Sequence, residues 1–168
     1  MKELTFNEQV RKKLKGGMQK NALDFVAFLR ANEIQPPNPG VDWYDGPGGA
    51  YVCFLSVCPD WKKRIGWTIW MGGYDCALCR EENQEYPIAE DLKEFVWKNI
   101  HPCVHFSSGG KHCGDGCQPG KSIKLFGRDF HNVCHAILEI RNPEGEELEK
   151  AKRLAIVWKQ SGIIQKIS

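Results

Sequence analysis

Positions 101–120 read HPCVHFSSGGKHCGDGCQPG, and this stretch constrains the fold more than any other. It shows neither helical nor strand periodicity. Long connections without regular structure are uncommon in compact domains, and one that persists is usually functional or held in place by something. All five histidines fall between His101 and His135, and four of the eight cysteines (Cys103, Cys113, Cys117 and Cys134) fall there too. Soft ligands concentrated among glycines predict a metal-ordered segment. Zinc takes Cys and His ligands in a tetrahedral set, often supplied as close pairs from turns. Cys113 and Cys117 make such a pair, with Gly114 and Gly116 freeing the backbone to turn between them. Cys103 is the natural third ligand and Cys134 is taken as the fourth. His101, His105, His112, Cys76 and Cys79 compete for that last position. The expected site is therefore Cys103, Cys113, Cys117 and Cys134 around zinc, in a structural rather than a catalytic role. A different pairing joins Cys76 and Cys79 to Cys113 and Cys117 across 33 intervening residues that include a whole helix.

Composition sets outer bounds. A chain of 168 residues predicts one globular domain spanning 1–168. Its 42% apolar and 26% charged residues are ordinary for a globular protein. The net charge of +2 is too small to imply a polyanionic partner. The longest apolar run, Ala50 to Leu55, falls far short of a membrane span. No apolar segment precedes Asp24, which argues against a signal peptide and predicts a cytoplasmic protein with reduced thiols.

The elements read as follows. Thr5 and Glu8 fit a capping box ahead of a helix bearing Phe6, Val10 and Leu14. Gly16-Gly17 interrupts it, and a second helix runs from about Met18 to Asn32 with Ala22, Leu23, Val26 and Leu29 inward and Phe25 and Phe28 beside them. Val41 to Tyr44 is expected as a short edge strand. Ala50 to Val57 is apolar on both faces and reads as a central strand, with Cys53 a core thiol. Gly66 to Met71 follows as another strand. Pro87 opens a helix over Ile88–Asn99 whose core face is Leu92, Phe95, Val96 and Ile100. Lys121 to Phe126 reads as a strand, Asp129 to Val133 is ambiguous, and Ala136 to Ile140 is a further strand. Asn142 is the expected N-cap and Pro143 the first position of a last helix, which Gly162 stops. Ile163, Ile164 and Ile167 predict a docked C-terminus. The order predicts an α+β fold: a mostly antiparallel sheet of about four to five strands, three main helices and a Cys/His-rich crossover loop.

Other chemistries are less well served. Cys76-x2-Cys79 has dithiol spacing, but Asp75, Glu81 and Glu82 surround it with charge that disfavours a thiolate. Cys134 and His135 are adjacent and would face opposite sides of a strand, whereas His131 reaches Cys134 only if that segment is helical. The glycines match neither a phosphate-binding loop nor a dinucleotide fingerprint. Lys111, Lys121, Lys124 and Arg128 flank the loop but read as solvated lysines and arginine, so nucleic acid is not an expected partner, and neither is a membrane. The Arg11–Lys15 run reads as a solvated helix face. Four of six tryptophans and all four tyrosines lie between Trp43 and Tyr86. They predict either core filling or an aromatic sheet face, between Trp43 and Tyr74, that binds a small molecule. The overall expectation is a metal-ordered binding or interaction module. Its alternative is an enzyme using the Cys/His cluster as a catalytic metal or thiol site. The oligomeric state is not legible.

Overall fold

The computed structural model describes residues 4–36, 42–45, 51–58, 66–72, 86–103 and 120–164. In chain order they form α1 (Phe6–Lys13), α2 (Gly16–Ala31), β1 (Ile34–Gln35), β2 (Asp42–Asp45), β3 (Tyr51–Cys58), β4 (Gly66–Met71), α3 (Glu90–Lys98), β5 (Ile100–Pro102), β6 (Lys121–Leu125), β7 (Arg128–Arg141) and α4 (Gly145–Ile164). The pairings β1–β2, β2–β3, β5–β7 and β6–β7 are all antiparallel. The fold is α+β with an antiparallel sheet, as expected. Two compact units share the chain: Met1–Trp70 with Ile140–Ser168, and Met71–Glu139.

In the first unit, α1 begins at the expected capping box. The Thr5 hydroxyl accepts from the Glu8 amide at 3.3 Å, and the Glu8 carboxylate accepts from the Thr5 amide at 2.8 Å. Such a cap contributes about 1 kcal/mol. Phe6, Val10 and Leu14 are buried at helical spacing. Gly16 takes φ +58°, a conformation that favours glycine, and α2 starts there. Its buried face is Ala22, Phe25, Val26 and Leu29; Leu23, expected inward, is half-buried.

The hydrogen-bonded strand order in this unit is β1-β2-β3-β4. β2 therefore lies between β1 and β3, so the 42–45 strand is not the edge that the sequence predicted. β3 buries Val52 on one face and Cys53, Leu55 and Val57 on the other, the two-sided burial expected of an inner strand. Trp67 on β4 packs against Phe25 of α2 with ring centroids 6.0 Å apart. The Trp70 indole N–H donates to the Ser56 hydroxyl at 3.0 Å.

Asn142 does something other than cap a helix. It sits at φ +45°, its amide donates to the Trp67 carbonyl at 2.9 Å, and its side-chain oxygen accepts from the Trp67 amide at 2.8 Å. The helix it was expected to start begins three residues later, at Gly145, and runs past Gly162 to Ile164. α4 packs on α2 and β3 through Leu148, Ala151, Leu154, Ala155 and Trp158, all buried. The expected docking of Ile163, Ile164 and Ile167 lies outside the described side chains.

In the second unit, α3 buries Leu92, Phe95 and Val96. The Trp97 indole N–H donates to the Leu125 carbonyl at 3.0 Å, and the Arg128 guanidinium lies over the Trp97 and Phe130 rings. β6 and β7 form a hairpin whose two-residue turn, Phe126-Gly127, has φ +50° and +79°. Two left-handed turn residues match the twist of the flanking strands. The segment that read as ambiguous at 129–133 and the strand expected at 136–140 are one 14-residue strand. The ambiguous segment carries a one-residue register shift against β6, with Asn132 at φ +56°; a larger irregularity, after Val133, builds the site.

Candidate Cys/His site

β5 and β7 pair at Pro102↔Val133 and at Ile100↔Leu138. Two steps along β5 thus span five along β7, so β7 carries three extra residues opposite His101. The consequence is a matter of parity. Cys134 and Glu139 are five positions apart, and in an uninterrupted strand an odd spacing puts side chains on opposite faces. With three residues looped out, the spacing is effectively two, and both side chains meet His101. Beyond the bulge the pairing resumes, with the Glu139 amide donating to the Asn99 carbonyl at 3.0 Å.

His101 is the hub. Its Nδ1 lies 2.8 Å from a carboxylate oxygen of Glu139, and its ring also hydrogen-bonds the Cys134 sulfur. With Nδ1 committed to Glu139, Nε2 is the nitrogen left for Cys134. Both partners of the His101–Glu139 pair are largely shielded, their side chains 15% and 11% exposed. The hydrogen bond to Cys134, and next that to Glu139, push the His101 pKa up to about 9 against the opposing effect of burial. The Cys134 pKa is lowered, first by the His101 contact, with further help from the Ala136 and His135 amides that donate to its sulfur; burial opposes this too. The arrangement therefore favours a thiolate beside an imidazolium.

Cys103 lies one cross-strand pair along from His101. Its amide donates to the Asn132 carbonyl at 2.7 Å, and the Asn132 side-chain amide donates to the Cys103 carbonyl at 3.3 Å. Gly120 closes over this pair: a methyl group there would come within 2.7 Å of the Cys103 Cβ. The chain therefore leaves the described structure at Cys103 and re-enters it at Gly120 in the same place.

Of the expected ligands, Cys103 directly follows β5 and is buried, and Cys134 lies on β7 and is half-buried; neither is in a disulfide. Cys113 and Cys117 lie outside the described residues, as do His105, His112 and the Cys76–Cys79 pair. Among the described residues, no group of three or more His, Cys, Asp or Glu side chains is spaced to hold a metal ion. His135 is exposed, as its position after Cys134 on a strand requires. The His131 Nδ1 lies 2.9 Å from the Ser122 hydroxyl, and its segment is strand rather than helix. Cys53 is a core thiol, as expected. Sequence reasoning missed Glu139 altogether. Its only signal was a carboxylate inside an apolar strand, and the partner depended on a bulge that spacing does not reveal.

Among the described residues, no helix is long and apolar enough to cross a membrane. No protein-family model, curated protein or solved structure matches the chain.

Proposed function

We propose that this chain is a zinc-binding protein whose centre is built on His101 and Cys134 and completed by Cys113 and Cys117, the metal holding the crossover between β5 and β6. The observation that carries this reading is the direct contact of an imidazole nitrogen with a cysteine sulfur at the root of the Cys-rich segment. Two tetrahedral zinc ligands, nitrogen at about 2.0 Å and sulfur at about 2.3 Å from the metal, stand roughly 3.5 Å from each other. That is also the separation of a sulfur–nitrogen hydrogen bond, so zinc replaces the shared proton with little movement of the strands. Nitrogen and thiolate donors suit zinc better than the hard cations. His101 is preferred to Cys103 because its ring already faces the Cys134 sulfur, whereas Cys103 is covered by Gly120.

Four protein ligands leave no open position, which makes the role structural. The ordered crossover then serves as an interaction surface. Trp67 is engaged with Phe25 in the core and Trp70 with Ser56, so neither supports a small-molecule site on the aromatic sheet face.

Metal analysis of untagged protein, purified under reducing conditions without chelator, tests the reading. Close to one equivalent of zinc is expected, falling sharply in Cys113→Ser/Cys117→Ser and in His101→Ala. Less than about 0.2 equivalents in the unsubstituted protein sinks the proposal, because a structural metal is near stoichiometric.

The same contact favours a second reading, thiol chemistry without metal. Cys134, His101 and Glu139 stand in the order nucleophile, base and orienting carboxylate. Iodoacetamide decides between them. Selective alkylation of Cys134 in protein purified without chelator, at a rate that chelation leaves unchanged, favours the thiol. Protection of Cys134 that is lost only on chelation favours zinc.

A further inference from the structure

Glu139 faces His101 across the β5–β7 pair. Three extra residues in β7 bring it there, interrupting the ladder between Ile100 and Pro102. Bulges re-aim side chains, and they recur beside functional sites. What this one achieves is specific: a carboxylate, 11% exposed, on Nδ1 of a histidine whose ring also hydrogen-bonds a cysteine. Imidazoles that bind a metal through one nitrogen characteristically donate the other N–H to a carboxylate or carbonyl, which fixes the tautomer and the ring orientation and makes the ligating nitrogen more basic.

We infer that Glu139 is the positioning residue of the proposed zinc site: it keeps the His101 proton on Nδ1, aims Nε2 at the position shared with Cys134, and sets how tightly zinc is held. The inference rests on the zinc reading above and adds to it a residue that never touches the metal. The bulge is then part of the site, because an uninterrupted pairing over 134–139 would put Cys134 and Glu139 on opposite faces of the strand.

The test uses the full chain and zinc itself, read by competition with a chelating dye, with cobalt(II) as a spectroscopic substitute. Glu139→Gln keeps the size of the side chain and an oxygen that accepts from Nδ1–H, but loses the charge. Glu139→Ala loses both. Zinc affinity is expected to fall about 10–100-fold in Glu139→Ala, with Glu139→Gln recovering part of the loss. The cobalt spectrum of the alanine variant should shift in its ligand-field bands while thiolate charge-transfer absorption persists, since Cys134 remains. Thermal unfolding of the metal-free Gln variant should match that of metal-free unsubstituted protein, which separates positioning from general stability. Unchanged zinc affinity and an unchanged cobalt spectrum in both variants, with His101→Ala impaired, overturn the role of Glu139 and leave the zinc reading intact. If the unsubstituted protein takes up no zinc, or His101→Ala and Cys134→Ala bind as well as it does, the zinc reading fails and this inference fails with it.

Discussion

At the scale of single residues, the chemistry of Cys134 depends on one neighbour. His101 is the largest cause of its lowered pKa, while burial acts in the opposite direction. In metal-free protein, Cys134 should therefore react with iodoacetamide at pH values below the ordinary thiol range, because its thiolate is already populated there. His101→Ala removes the main stabilising partner and leaves the burial, so the midpoint of the rate–pH profile should move upward. A profile that stays in place would show that His101 does not hold the thiolate. Gly66 offers a test away from the site. A methyl group there would come within 2.8 Å of the Asn142 side-chain carbon and push out the group that accepts from Trp67. Gly66→Ala should cost about 1–3 kcal/mol by overpacking, read from urea denaturation.

At the scale of elements, α4 is tied to α2 by two lysines of different character. Lys159 donates to the carbonyl of Asn32, the residue that ends α2, at 2.8 Å. It therefore satisfies one of the carbonyls that a helix end leaves without a partner. Lys152 lies 2.7 Å from both Asp24 and Glu149 and over the Phe28 ring. Its carboxylate partners are more than half exposed, so solvent screens much of their attraction. Lys159→Met should lower stability by about 1 kcal/mol, because a backbone group is left unsatisfied. Lys152→Met should cost less, since the methionine stem retains the contact with Phe28. Thermal unfolding of the two variants should rank them in that order and, on raising the salt concentration, should move the Lys152 variant's deficit more than the Lys159 variant's.

At the scale of the whole chain, the residues proposed to hold zinc belong to the 71–139 unit, while α1, α2 and α4 belong to the other. Metal removal should therefore be read locally. Hydrogen exchange after chelation should quicken in β5, in β6 and in the 128–139 part of β7, with α2 and α4 little changed. Uniform loss of protection along the chain would mean instead that the metal supports global stability. Much of this architecture was legible in the amino-acid order. The Thr5–Glu8 box marked the start of α1. The apolar run over 51–57 marked an inner strand. The spacing of Leu92, Phe95 and Val96 marked the buried face of α3. These features depend on neighbours within a few positions, where helical and strand periods hold.

The site was legible only in part, for a physical reason. By itself, the sequence determined which residue types were available, and it concentrated His101, Cys103 and Cys134 in one region around a Cys-rich crossover. The tertiary structure decided which of them meet. Partnership across strands depends on register, and register on a bulge whose three extra residues leave no periodic trace. The ambiguous 129–133 segment carries a separate, one-residue shift against β6. The larger break after Val133 gave Glu139 to His101, turned Cys134 toward the ring and left His135 exposed.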